Sequence, residues 1–422
     1  MADVLKVLMM GGQRAGKTSM LAGLIETMTK GMVKELIEVH NVTSQEETNR
    51  KLAKSIESLK YHLITSYGKT FLIDDNKTTA FDDYVLEFRI PNTDSFMKIV
   101  FTDANGEFYD MGRLHDGEIR EKIRTYDVFV IAIDTPNLME AVNPNNRLCN
   151  EAINNSYNHV NDIYTFMTEL DDKNGGDAKL VIFAPLKCEK WIKEGKVEEV
   201  KKRIAKVYEP TLHALSKYIN VEIDIIPVQT VGNIVFQEQA KASLCVTEGV
   251  SRRCAIVNNK SEVRYEDGSI EAIDPKRQRF IEDPDAAIRD GSSLVRANSW
   301  FTTIGKDYAP HNCDQLAFYI LQFYLAKVLF AQKVEELQSK KNKWKWGKRI
   351  AIVIFGVALG LLGAAVAYFT SNYLAKKFGT ITVEQMLSLV NKLNESGYIK
   401  KNIDGIETIK ESKLYVFNKK AS

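Results

Sequence analysis

A chain of 422 residues, 45% hydrophobic and 27% charged, is long enough for one large domain or two ordinary ones. Its net charge of +2 excludes a bulk nucleic-acid binder, which needs a far more basic surface. Five cysteines (Cys149, Cys188, Cys245, Cys254 and Cys313) are odd in number and show no C-x-x-C spacing, which argues for reduced thiols rather than a disulfide frame or a zinc site.

The apolar run Val4–Met10 predicts a first strand, and Ser19–Thr29 predicts a helix. Between them lie Gly11, Gly12, Gln13, Arg14, Ala15, Gly16, Lys17 and Thr18, a complete G-x-x-x-x-G-K-[ST] loop. In a strand–loop–helix setting the backbone N–H groups of such a loop, up to Ser19, cradle phosphate oxygens at a helix N-terminus. Lys17 would neutralise the β- and γ-phosphates, and Thr18 would offer its hydroxyl to Mg²⁺. The chain is therefore expected to bind a nucleoside triphosphate.

Downstream, strands and helices alternate, as in a doubly wound nucleotide-binding domain. Ser44–Ser66 reads as an amphipathic helix inserted after the first one, within an insertion at about 31–76. Tyr84–Ile90 and Phe96–Phe101 flank the turn Pro91-Asn92-Thr93-Asp94, a hairpin expected to add an antiparallel edge to a parallel sheet. Val128–Ile133, Leu180–Ala184 and Val221–Val228 predict further strands, with helices at 155–170, 193–218 and 312–339. The stretch at 238–308 is polar, carries turn signals at Asp267-Gly268 and Asp290-Gly291, and reads as an irregular insertion.

Ile350–Phe369 holds no charged residue and is long enough to cross a bilayer as a helix. Lys340, Lys341, Lys343, Lys345, Lys348 and Arg349 crowd its N-terminal flank, and Trp344, Trp346, Tyr368 and Tyr373 stand near its ends. The positive-inside rule then places residues 1–349 in the cytoplasm as part of a single-pass cell-membrane protein, with the lipid bilayer as its partner. No cleavable leader is expected, so the internal segment would direct membrane insertion. Gly356 and Gly360 have the G-x-x-x-G spacing that lets two spanning helices approach. The expected organisation is a nucleotide-binding domain at 1–338, a basic segment at 339–349, the span at 350–369 and a small region at 371–422.

The strand at 96–101 runs into Thr102-Asp103-Ala104-Asn105-Gly106-Glu107. This D-x-x-G resembles the second switch of small GTPases, which implies that Asp103 holds the Mg²⁺ shell and that the Gly106 amide senses the γ-phosphate. Thr78 and Thr79 precede the edge strand much as the first-switch threonine does, and one of them would complete the metal site. Pro185-Leu186-Lys187-Cys188-Glu189 is similar to the N-K-x-D base loop, with Leu186 in place of Asn and Glu189 in place of Asp. The resemblance implies that Lys187 and Glu189 read guanine, aided by the amides around Thr230 in Pro227–Gly232.

Together these motifs resemble the Ras-like branch of P-loop GTPases. Within it they are most similar to the bacterial double-GTPase group, which shares the base-loop style and a Pro310-His311-Asn312-Cys313-Asp314-Gln315 approach to the last helix. The implied fold is an α/β G-domain-like P-loop NTPase with a mostly parallel sheet, and the implied cofactors are GTP, GDP and Mg²⁺. Glu107 falls where Ras-like enzymes orient the attacking water. Arg14 falls where guanylate-binding proteins and atlastins carry an arginine that acts in cis upon dimerisation. Three readings follow: a membrane-anchored GTPase switch with a protein effector, a dimerisation-driven mechanochemical GTPase acting as a homodimer, and a nucleotide-gated membrane effector such as a bacterial defence protein.

Overall fold

The computed structural model describes residues 4–29, 37–71, 82–94, 96–104, 123–146, 149–168, 179–216, 221–247, 250–257, 262–265, 267–272, 294–321 and 323, with a few positions between 377 and 392. Its centre is a seven-stranded sheet. Strands β1 (Leu5–Met10), β5 (Phe96–Asp103), β6 (Val128–Asp134), β7 (Lys179–Leu186) and β8 (Val221–Ile225) run parallel in the spatial order β5-β1-β6-β7-β8. The inner strands β1, β6 and β7 are covered on both faces, so they read as nearly unbroken apolar runs.

The alternation shows in which neighbours each side chain meets. Val128, Val130 and Ala132 join Leu5, Val7, Met9, Leu180, Ile182 and Ala184 in one core. Phe129, Ile131 and Ile133 join Leu8, Met10, Val181 and Phe183 in the other. Helix α1 (Lys17–Met28) and a last helix over 313–321 pack on the first face. Helices α5 (Val160–Thr168), α7 (Val197–Val207) and α8 (Glu209–Leu215) pack on the second.

The hairpin of β4 (Asp82–Arg89) and β5 pairs antiparallel from Asp82↔Asp103 to Arg89↔Phe96. Its turn places Asn92 at φ 60°, a left-handed conformation that asparagine tolerates better than most residues. The hairpin is not the edge, as the alternation suggested. An unforeseen strand, β2 (Glu38–Asn41), lies beyond it and pairs antiparallel with β4. Helix α2 (Glu46–Thr65) follows and matches the expected amphipathic helix. It buries Leu52, Ser55, Leu59 and Leu63 along one stripe and reaches α1 through Lys60 Nζ, 3.1 Å from Glu26 Oε2.

The larger correction concerns 238–308. Instead of irregular chain, it supplies most of a second sheet, antiparallel and six-stranded, in the order β12-β11-β10-β9-β13-β3. Its strands are β9 (Ile234–Thr247), β10 (Val250–Val257), β11 (Glu262–Tyr265), β12 (Ile270–Ala272) and β13 (Leu294–Thr303), together with β3 (Thr70–Phe71). Asp267-Gly268 does turn the chain, between β11 and β12, with Gly268 at φ 80°. Because β3 pairs with β13 at Phe71↔Phe301, the two insertions read separately in the sequence form one body. Polar and charged residues interrupt the apolar ones along β9 and β10, which blurs the period-2 signal in the sequence.

Among the described residues no helix is long and apolar enough to cross a membrane. The expected span at 350–369, its basic flank at 339–349 and nearly all of 371–422 lie outside the described residues. Within that last region, Lys377–Phe378 pairs with Ile381–Thr382 in a short hairpin.

Candidate nucleotide-binding site

The loop Gly11–Thr18 leaves the C-terminal end of β1 and opens α1 at Lys17. Gly11 sits at φ 132°, and a Cβ there would lie 2.3 Å from the Ala132 carbonyl oxygen, so β6 admits only glycine. Arg14 is held at φ 65° and half-buried, while Gln13 is exposed. Lys17 is buried. Its ammonium donates to the Gly11 carbonyl at 2.9 Å and the Gly12 carbonyl at 3.1 Å, and Asp103 Oδ1 lies 3.7 Å away. Burial lowers its pKa, and the charge of Asp103, 3.7 Å away, pulls it partly back.

Asp103 ends β5 beside the loop because β1 and β5 pair in parallel with Met9 opposite Asp103. The Thr18 hydroxyl donates to Asp103 Oδ2 at 3.1 Å. Hydroxyl and carboxylate oxygens adjoining a phosphate loop suit a hard cation such as Mg²⁺. Tyr84, on the neighbouring β4, is buried close to this pair. Its hydroxyl pKa is raised by burial and by the charges of Asp103 and Asp82. Sequence reasoning treated Tyr84 only as a strand residue. Its register opposite Phe101, two residues before Asp103, is the signal that would have found it.

Gly106, Glu107, Thr78 and Thr79, the remaining switch candidates, lie outside the described residues.

Lys187 follows the end of β7 at φ 58°. Its ammonium donates to the Arg14 carbonyl at 2.6 Å and to Asp134 Oδ2 at 2.7 Å, so the base loop is tied to the phosphate loop. Leu186, in the asparagine position, is fully buried beneath Gly16. Glu189 opens α6 (Glu189–Lys193) and is buried. Its Oε1 accepts from the backbone N–H groups of Val231, at 3.0 Å, and Gly232, at 3.3 Å. Its Oε2 is buried with no hydrogen-bond partner. Burial pushes its pKa up, and the two amides and Lys187 oppose that shift. One carboxylate oxygen of Glu189 is thus spent on the Val231 and Gly232 amides.

Thr230 is buried in the loop that pairs with 309–311, where Gln229 and His311 exchange backbone hydrogen bonds. Asn312 caps this contact through its amide, 3.2 Å from the Pro227 carbonyl. The Pro310–Gln315 segment thus buttresses the base loop.

Asp134 went unnoticed in the sequence. It ends β6 and caps α3 (Thr135–Glu140), where its Oδ1 accepts from both the backbone and the side-chain nitrogen of Asn137 at 2.9 Å.

Parallel central strands, a phosphate loop on the first of them and a threonine–aspartate pair across its edge define a P-loop nucleotide-binding domain. No known family profile and no curated protein matches the chain. Among solved structures it is similar to the signal recognition particle receptor complex SRb-GTP/SRX from Chaetomium thermophilum, at 12% identity and TM-score 0.29, over 55% of this chain and 93% of that one. It is also similar to the S. cerevisiae Ski7 GTPase-like domain bound to GDP and inorganic phosphate, at 10% identity and TM-score 0.27, over 72% and 75% of the two chains. The cytosolic domain of L. pneumophila FeoB matches at 11% identity and TM-score 0.22, over 93% and 98%. These likenesses are distant, and the class rests on the chain's own topology and loop.

Proposed function

We propose that the chain is a nucleoside triphosphatase that prefers GTP, uses Mg²⁺ and works as a nucleotide-dependent switch on the cytoplasmic face of a membrane. The observation that carries this reading is the approach of both the Lys17 ammonium, at 3.7 Å, and the Thr18 hydroxyl, at 3.1 Å, to the Asp103 carboxylate at the N-terminus of α1. Lys17 orients phosphate from a fixed ammonium, and Thr18 and Asp103 hold the metal. Bound Mg²⁺ supplies neutralisation of charge on the β- and γ-phosphates.

Guanine preference is supported by Glu189 Oε2, a buried acceptor without a donor. Guanine offers N–H donors at the edge where adenine presents an acceptor, so the unpartnered oxygen favours the former. The membrane part of the proposal rests on the uncharged stretch at 350–369 and its basic flank. A partner effector would read the segments that carry Thr78, Thr79, Gly106 and Glu107.

The test is hydrolysis by the full chain in lipid nanodiscs with GTP and with ATP, at several protein densities, beside Lys17→Ala and Arg14→Ala. The reading expects a GTP-selective rate per molecule that is flat with density, lost in Lys17→Ala and retained in Arg14→Ala. A rate that climbs with density and collapses without Arg14 replaces the switch with a dimerisation-driven machine. Equal use of ATP removes the guanine assignment.

A further inference from the structure

We infer that Asp134 is a positioning residue for the phosphate loop, acting through Lys187, and that Gln239 ties the inserted sheet to it. The inference rests on the nucleotide-binding reading above. It comes from an unbroken series of hydrogen bonds between two parts of the molecule that the sequence keeps far apart.

The series starts in the second sheet. Gln239 of β9 donates from Nε2 to Ser299 Oγ of β13 at 3.0 Å and to Asn137 Oδ1 at 3.4 Å. Asn137 donates from Nδ2 to Asp134 Oδ1, and Asp134 Oδ2 receives the Lys187 ammonium. Lys187 then donates to the Arg14 carbonyl in the loop. Asp134 accepts from both sides of the series, from Asn137 on one oxygen and from Lys187 on the other, so every donor meets an acceptor. Gln239, Asn137 and Asp134 are all buried, and Lys187 is largely so. Water therefore competes weakly for these bonds.

The loop needs such a tether. Arg14 adopts φ 65° without being glycine, a conformation that costs energy and persists only when neighbours over-determine it. The Lys187 bond to its carbonyl fixes the peptide plane, whose N–H, that of Ala15, donates to the Gly12 carbonyl at 3.3 Å and so closes the turn of the loop. Asp134 neutralises Lys187 where the ammonium would otherwise be poorly solvated. The two bonds from Asn137 prevent the carboxylate from swinging away. A displacement of β9 against β13 is thus passed to the loop by the side chains alone.

The experiment measures release of a fluorescent N-methylanthraniloyl-GDP from the full chain in nanodiscs. Asp134→Asn keeps an oxygen to cap α3 but removes the charge facing Lys187, and should speed release about tenfold. Lys187→Met should speed it at least as much. The double variant should be no faster than Lys187→Met alone, which a merely structural role of Asp134 would not produce. Gln239→Leu should speed release about two- to threefold in the wild-type background and have no effect beside Asp134→Asn. Unchanged release in Asp134→Asn, or additive effects in the double variant, overturns the assignment. Should Asp134→Asn fail to fold, unchanged release in Gln239→Leu overturns the link to the sheet. A wild-type chain that does not hold the probe overturns the nucleotide reading itself.

Discussion

Thr18 and Asp103 stand 85 positions apart in the chain and meet at 3.1 Å, hydroxyl to carboxylate. Neither residue brings this about. The parallel pairing of β1 with β5 sets Met9 opposite Asp103, and the loop then turns back over that strand end. Replacing Asp103 by Asn should raise the Mg²⁺ concentration for half-maximal hydrolysis by about tenfold or more, because a charged oxygen ligand is lost. The same change removes the charge that pulls the Lys17 pKa back up against burial. Nucleotide affinity of Asp103→Asn should therefore fail at lower alkaline pH than in the wild type, which titration of bound fluorescent nucleotide against pH would reveal. Identical alkaline limbs would contradict the coupling.

Glu189 provides a second pH prediction. Burial raises its pKa above the ordinary 4.5, so the folded state binds this proton more tightly than the unfolded state. Stability should fall as pH rises from about 4.5 through the folded value, and level off above it. Glu189→Gln keeps an oxygen for the Val231 and Gly232 amides but carries no charge. It should remove that part of the slope and be no less stable than the wild type near neutral pH. Urea denaturation across pH decides the matter, and parallel profiles would refute it.

Helix α1 and the last helix touch at Gly23. A Cβ built there would lie 2.5 Å from Cys313 Sγ and 3.1 Å from the Pro310 Cβ. Gly23→Ala should destabilise by about 1–3 kcal/mol through overpacking. Cys313→Ala in the same chain should recover part of that loss, since it removes the sulfur in the way. Chemical denaturation of the two single variants and the pair tests this, and strict additivity would show that the contact is not the cause.

The inserted sheet meets the base loop through aromatic rings. Trp191 of α6 stacks on Phe236 of β9 at 5.8 Å, and Phe236 meets Phe301 of β13 edge-on at 6.0 Å. Phe236→Ala should cost about 3–5 kcal/mol, the usual loss for a buried phenylalanine. It should also raise hydrogen exchange in β9 and β13 ahead of β6 and β7. Uniform protection loss across both sheets would mean that they unfold as one unit.

Local chemistry made part of this molecule readable without coordinates. The phosphate loop was legible because its glycines, Lys17 and Thr18 act through the backbone within a few residues of one another. Central strands such as Val128–Asp134 were legible because burial on both faces demands unbroken apolar sequence, and α2 was legible because one stripe of it is buried. The second sheet was not, since β9 and β13 are joined by pairing across intervening chain, and Thr70–Phe71 is too short to signal a strand alone. Nor could spacing reveal that Lys187 spends its ammonium on Asp134 and the Arg14 carbonyl, or that Glu189 holds the Val231 and Gly232 amides. Those bonds depend on how strand ends are brought side by side, and residues distant in sequence acquire partners only once the sheet has set the distances between them.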